Sequence, residues 1–166
     1  MTLCYLGLGS NLNSPERQLR MALNALRLLP QTNIKKIAPI YRSEALGRKA
    51  QPRFLNTVVA INTSLTPELL LRYCQKIERE QGRIRKVQNG ARTLDIDILF
   101  YGEQKISDQN LQIPHPRMLE RDFVLKPLSE IAGAEPLLPL PFTLNYIEVF
   151  NQARESCTPL SYIRQT

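Results

Sequence analysis

Over Leu3 to Leu8 the chain alternates with a period of two: Cys4, Leu6 and Leu8 fall on one face, Leu3, Tyr5 and Gly7 on the other. A segment that is apolar on both faces predicts a central strand. Gly9-Ser10-Asn11 ends it, and Ser14-Pro15-Glu16 predicts a helix start, with a capping hydroxyl, a proline at the first helical position and an acid near the positive end of the dipole. Leu19, Ala22, Leu23 and Leu26 then mark one helical face, which runs out before Pro30. Two strands are predicted over residues 34–42 and 54–63; in the second, Leu55, Thr57, Val59 and Ile61 alternate with Phe54, Asn56, Val58 and Ala60. Between them residues 43–53 form a loop that carries Gly47 and the basic Arg48, Lys49 and Arg53. Thr66-Pro67-Glu68 repeats the helix-start chemistry, and Leu70, Tyr73 or Cys74, and Ile77 continue a helical stripe until Gly82 stops it.

Residues 94–101 form the strongest strand pattern in the chain. Alternation points Asp95, Asp97, Leu99 and Tyr101 one way and Leu94, Ile96, Ile98 and Phe100 the other way, into the core. Gly102-Glu103 turns this strand towards Lys105-Ile106-Ser107, a hairpin partner. Pro114-His115-Pro116 interrupts the chain, residues 123–131 form a short helix containing Pro127, and a proline-rich stretch over 136–141 precedes a helix start at Thr143. The order strand, helix, strand, strand, helix, strand is that of a split βαβ, ferredoxin-like unit. The predicted class is α+β: a mostly antiparallel sheet with helices packed on it in α/β/α layers. Nothing resembling a linker or a repeat divides residues 1–166, which read as one domain with a weakly patterned, loosely packed tail over 155–166.

Charge narrows the picture. The chain has 22 Lys+Arg against 15 Asp+Glu, a formal charge of +7, and 43% hydrophobic residues, which excludes wholesale disorder. Its apolar runs are too short to span a bilayer, and no basic segment leads an apolar one at the N-terminus, so a cytoplasmic protein without membrane contact is expected. Cys4, Cys74 and Cys157 are odd in number and widely spaced, against a disulfide framework, and with one His they leave too few ligands for structural zinc. A basic surplus favours polyanions. Its distribution says more, because Arg79, Arg83, Arg85, Lys86 and Arg92 gather just ahead of Asp95 and Asp97.

Residues i and i+2 of a strand lie about 6.6 Å apart on one face, close enough for two carboxylates to share hard cations. Two cations about 3.5–4 Å apart can clamp a phosphoryl group in transfer. Without cations the acids repel and need compensation, for which Arg83, Arg85 and Arg92 are at hand. A bare D-x-D is more often a solvent-facing stretch of sheet paired with surface arginines. Its surroundings therefore decide.

Those surroundings are Gly90-Ala91-Arg92-Thr93-Leu94-Asp95-Ile96-Asp97-Ile98-Leu99. The string closely resembles the G-P-R-T-L-D-[LI]-D-I signature of the 6-hydroxymethyl-7,8-dihydropterin pyrophosphokinases of folate biosynthesis. Further blocks resemble the family in the same order: Tyr5 to Leu12, Tyr41-Arg42-Ser43 with Leu46-Gly47 and Gln51-Pro52, Phe54-Leu55-Asn56, Gln81-Gly82-Arg83-Ile84-Arg85, and Pro114-His115-Pro116. The resemblance runs over residues 2–131. It implies transfer of the β,γ-diphosphate of ATP to the hydroxymethyl oxygen of the pterin, with release of AMP. By the same resemblance Asp95 and Asp97 hold two Mg2+ ions, and Arg83 and Arg92 steady the moving diphosphate. Gln75, Glu78, Arg85, Ile98, His115 and Arg121 fall on ATP-contacting positions. Phe54 and Phe123 flank the pterin ring, Asn56 meets its edge, and Ser43, Glu44 and Leu46 supply further contacts. Core packing remains open for both phenylalanines. The implied partners are ATP and the pterin, without nucleic acid, and a monomer is expected as in typical relatives.

The sequence also departs from the family. Many relatives carry R-W-G-P-R before the aspartates, where this chain has Gln88-Asn89-Gly90-Ala91-Arg92 and no tryptophan anywhere. Asn110 and Gln112 stand where some relatives offer arginine and threonine to the nucleotide, and Pro116 replaces an aromatic residue. These changes predict weaker nucleotide binding or altered loop motion, with the aspartates and arginines intact. The alternatives are a diverged paralogue acting on a related pterin, a binding module without turnover, and an RNA-binding ferredoxin-like domain. The last would carry an RNP-like aromatic string, which this chain lacks.

Overall fold

The segment that is apolar on both faces is central. Strand β1 (Thr2–Ser10) pairs antiparallel with β4 (Phe54–Thr63), Thr2 opposite Thr63 and Ser10 opposite Leu55, and on its other side with β5 (Asp95–Tyr101), Gly9 opposite Asp95. The far edge of β4 is shared by β2 (Thr32–Ile37) and β3 (Tyr41–Ser43). With α1 (Pro15–Arg27) after β1 and α2 (Pro67–Glu80) after β4, this is the ferredoxin-like order. The fold is a computed structural model that describes residues 1–43, 51–83, 91–132 and 158–159. The basic stretches over 44–50 and 84–90, the prolines of 136–141 and the helix start at Thr143 lie outside the described residues.

Helices cover both faces of the sheet. Leu19, Leu23 and Leu26 of α1 and Leu70, Cys74 and Ile77 of α2 pack with Leu6, Leu8, Val59, Ile61, Ile96 and Ile98 in one core. On the opposite face Val124, Leu125 and Leu128 of α3 (Asp122–Ala132) pack with Tyr5, Val58, Ala60, Leu99 and Phe100. Among the described residues no helix is long and apolar enough to cross a membrane. Of the tail, Thr158–Pro159 forms β8, which pairs with Tyr41 and Arg42 of β3.

Local chemistry accounts for most boundaries. Thr66 caps α2 as expected, its hydroxyl accepting the Leu69 N–H at 3.2 Å, and Gly82 takes a φ of +82° that suits glycine where the helix stops. Ser14 does precede α1, but with φ +61° it makes no side-chain cap, so Pro15 and Glu16 carry that helix start. The single strand expected over 34–42 is broken: Ala38 still bonds Val58 at 2.9 Å, but Pro39 has no N–H to give, and pairing resumes at Tyr41. The alternation expected for 94–101 holds only to Leu99. Register slips between the Ile98 and Phe100 pairings, a bulge that puts Leu99 and Phe100 together in the α3 core and returns Tyr101 to the other one. The hairpin expected for Lys105-Ile106-Ser107 with β5 does not form; Ile106–Ser107 (β6) pairs with Gln112–Ile113 (β7) in a small separate sheet.

If α1 buries the face it shows, Leu26→Ala, at a fully buried position, should cost about 2–5 kcal/mol in urea unfolding. Leu28→Ser, at a position 85% exposed, should change stability by less than about 0.5 kcal/mol. Equal losses at both positions would contradict this placement of the helix.

Candidate active site

The α3 helix covers only part of its face of the sheet. Beyond it, β1 contributes Gly7 and Gly9, opposite Asp97 and Asp95 of β5, so this stretch of sheet is floored by bare backbone. The result is a cleft of about 670 Å³, counting its open mouth. Asp95, Asp97, Arg92 and Arg121 line one side; Ser43, Phe54, Asn56 and Phe123 line the other. Gly9 is needed there, because a Cβ at that position would lie 2.8 Å from Asn56 Oδ1. Asn56 in turn donates from Nδ2 to the Ser43 hydroxyl at 2.8 Å.

Asp95 is well neutralised. Arg83, directly after Gly82, brings Nη1 to 2.7 Å from Oδ1, and Arg92 brings Nη1 to 2.8 Å from Oδ2. Arg83 also reaches Glu78 Oε1 at 2.5 Å. Burial works against the Arg83 charge, but Asp95 and Glu78 outweigh it and hold the guanidinium above its ordinary value. Asp97 has looser partners: Arg121 Nη1 at 3.5 Å and His115 Nε2 at 3.9 Å, both on Oδ2. Burial, then the charge of Asp95, push Asp97 up to about 7 despite Arg121. Burial and Arg121 lower His115 to about 4, so at neutral pH its ring is uncharged. Nδ1 accepts the Arg117 N–H at 3.2 Å, which leaves the proton on Nε2, towards Asp97.

Each aromatic residue of the cleft has an arginine over it: the Arg92 guanidinium carbon lies 5.9 Å from the Phe54 ring centroid, and that of Arg121 lies 5.8 Å from Phe123. Both rings line the cleft, Phe123 at the edge of the α3 core. One wall of the site thus suits phosphate oxygens and the other a flat heterocycle with polar edges.

Several residues expected at the nucleotide are placed differently. Ile98 is 3% exposed with its side chain in the α1/α2 core, because it alternates with Asp97; a ligand is left only its backbone. Glu78 is 3% exposed and accepts the Ile96 N–H at 2.7 Å, which ties the end of α2 to the residue between the two aspartates. Burial pushes its carboxyl up, against the pull of the Ile96 N–H and Arg83. Gln75 is half-buried on α2, one turn before Glu78. Arg85, Glu44 and Leu46 lie outside the described residues. Sequence reasoning missed the part played by Asn11, read only as the end of a strand; its buried amide spans two segments that reach the site. The one signal was an amide side chain directly after the Gly-Ser turn.

The Asp97 carboxyl gives a pH dependence. In metal-free protein it holds its proton up to about pH 7, while the unfolded chain releases its own near the ordinary 3.8. Between those values the native state binds the extra proton, so stability is greatest below the lower value and falls as pH rises through the upper one. Denaturant unfolding in EDTA should show this decline, and Asp97→Asn should flatten it and be the more stable protein at about pH 8. Identical pH profiles for the two proteins would refute the assignment.

Comparison with known proteins gives the family. Residues 5–133 match the model of the family described as 7,8-dihydro-6-hydroxymethylpterin-pyrophosphokinase (HPPK). The chain is 47% identical over 137 residues to a 2-amino-4-hydroxy-6-hydroxymethyldihydropteridine pyrophosphokinase of Pseudomonas aeruginosa, covering 82% of this chain and 83% of that one. An enzyme of the same name from Haemophilus influenzae is 47% identical over 133 residues, 80% of this chain and 83% of that one. Among solved structures, an HPPK-DHPS of Plasmodium falciparum (A437G, with STZ-DHP) superposes with a TM-score of 0.68 at 13% identity, over 95% of this chain. This chain spans 48% of that longer one, and the likeness speaks for the fold alone. The match over most of its length and the identity to curated relatives show that the chain belongs to the 7,8-dihydro-6-hydroxymethylpterin-pyrophosphokinase family.

Proposed function

We infer that the protein transfers the diphosphate of ATP to the hydroxymethyl oxygen of 6-hydroxymethyl-7,8-dihydropterin, giving AMP and the pterin diphosphate in folate biosynthesis. The observation that carries this reading is the meeting, in one cleft, of a carboxylate–arginine cluster with an aromatic and amide wall. In the reaction the pterin hydroxyl oxygen bonds to the β-phosphorus as the bond from that phosphorus to the α,β-bridging oxygen breaks. AMP leaves with the bridging oxygen, and the hydroxyl gives up its proton. Such a transfer asks the protein for alignment and charge neutralisation more than covalent chemistry.

Phe54 and Phe123 would hold the pterin faces, with Asn56 and Ser43 at its edge; their common place in the cleft supports this. Glu44 and Leu46 are assigned to the pterin by the family resemblance. Arg83 and Arg92 offer forked donors to the diphosphate beside the aspartates. Arg121 and the Nε2–H of neutral His115 serve the remaining phosphate oxygens. Gln75, Arg85 and the Ile98 backbone hold the rest of the nucleotide, and Glu78 acts from beneath through Arg83.

Among the described residues no group of three or more His, Cys, Asp or Glu could hold a metal ion, so the protein offers a cation the Asp95–Asp97 pair. That donor set fits Mg2+, which takes one or two carboxylates and completes its shell with water and substrate phosphates. Bound there with ATP, Mg2+ supplies charge neutralisation at the phosphates, and the family resemblance supports two ions. The family resemblance supports a monomer as the active unit.

The test is direct: protein, ATP, Mg2+ and 6-hydroxymethyl-7,8-dihydropterin should give AMP and pterin diphosphate by mass spectrometry. Asp97→Ala should slow the reaction by at least about a hundredfold. A parent protein that binds pterin but forms no AMP would overturn the reading.

A further inference from the structure

Asn11 is 2% exposed and does not line the cleft, yet its amide is fully used. Nδ2 donates to Gln51 Oε1 at 3.2 Å and to the Pro52 carbonyl at 3.1 Å. Oδ1 accepts the Arg92 N–H at 2.8 Å, and the Asn11 N–H donates to the Arg92 carbonyl at 3.1 Å. Two donors meet two acceptors and the single oxygen meets a donor, so these partners fix which way the amide points. The segments it joins are remote from it, 40 and 81 residues along the chain.

Both segments lead straight to the site. Pro52 stands two residues before Phe54, and Arg92 puts its guanidinium on Asp95 and over the Phe54 ring. One buried side chain therefore sets the spacing between the aromatic wall and an arginine of the phosphate wall.

We propose that Asn11 is a positioning residue for the transfer: by bonding the backbone of Arg92 and the residues ahead of Phe54 at once, it aligns the diphosphate with the accepting hydroxyl. This rests on the functional reading above. It touches neither ligand, so its loss shows in the rate of the fully liganded enzyme rather than in the binding of either ligand alone. Transfer between two bound groups is steeply sensitive to such alignment, and a displacement of about 1 Å can cost about a hundredfold.

Substitutions separate the two halves of the contact. Asn11→Asp keeps an oxygen for the Arg92 N–H but sets a second oxygen against the Pro52 carbonyl, which has no proton to offer. Gln51→Ala, at a half-buried position, removes one acceptor and leaves Asn11 itself intact. Each full-length protein is compared with the parent by thermal midpoint, by separate Kd values for a non-hydrolysable ATP analogue and for the pterin, and by single-turnover AMP formation with both ligands saturating. Asn11→Asp is expected to lower the single-turnover rate by about ten- to a hundredfold with each Kd within about threefold of the parent's. Gln51→Ala should move the same way by less. An active parent whose variants keep its saturated rate, with changes confined to the midpoint or the Kd values, overturns the positioning role alone. A parent that makes no AMP overturns the functional reading and this proposal with it. Should Asn11→Asp fail to fold, Gln51→Ala decides by the same readout.

Discussion

Glu78, Asp95 and Asp97 share one end of β5 with Arg83, Arg92 and Arg121, and none of these charges could be buried there alone. Removing one partner from a buried ion pair strands the other at a cost of several kcal/mol. The cluster therefore has to be assembled as a whole, and its members come from separate parts of the chain. Arg83 follows α2, Arg92 precedes β5, and Arg121 stands just ahead of α3. Neutralising the aspartates thus fixes where three chain segments end. The neutralisation is uneven: Asp95 has a guanidinium on each oxygen, while Asp97 has looser contacts on one oxygen and retains a demand for positive charge.

The second constraint is one of coverage. The sheet is closed by two helices on one face, but α3 shields only part of the other. The uncovered part becomes the cleft, so the site needs no special element; it is what a short helix leaves open. Solved structures at 13% identity share this architecture, whereas the family follows from the family model and from curated relatives at 47% identity. Fold and function are carried by different features of the sequence, the first by patterning and the second by particular side chains.

Much of this was legible in the chain itself. Period-two runs and Pro-led helix starts located β1, β4, β5, α1 and α2, because those signals are local. Alternation around Asp95 and Asp97 put both carboxylates on one face, and the aspartate–arginine string identified the family. What escaped notice depended on partners distant in sequence. The bulge at Leu99 shows only in the pairing of β5 with β1, where the register slips, and the break at Pro39 only matters because β4 lies alongside. Ser14 has the composition of a cap but a left-handed backbone. Glu78 is expected at the nucleotide until Ile96 and Arg83 are seen to meet it beneath the site. Asn11 has no pattern of its own; its meaning lies in three partners far along the chain.

The bare backbone at Gly9 bears on drug resistance. Targets commonly escape an inhibitor by reshaping a side chain that the inhibitor touches while sparing the natural ligand. At position 9 nothing remains to trim, and any added carbon collides with Asn56, the amide proposed to read the pterin. A compound seated on this floor would press against a surface the protein cannot alter without injuring its own substrate recognition. Selection would be driven outward, to parts of the cleft lining that carry a side chain to reshape.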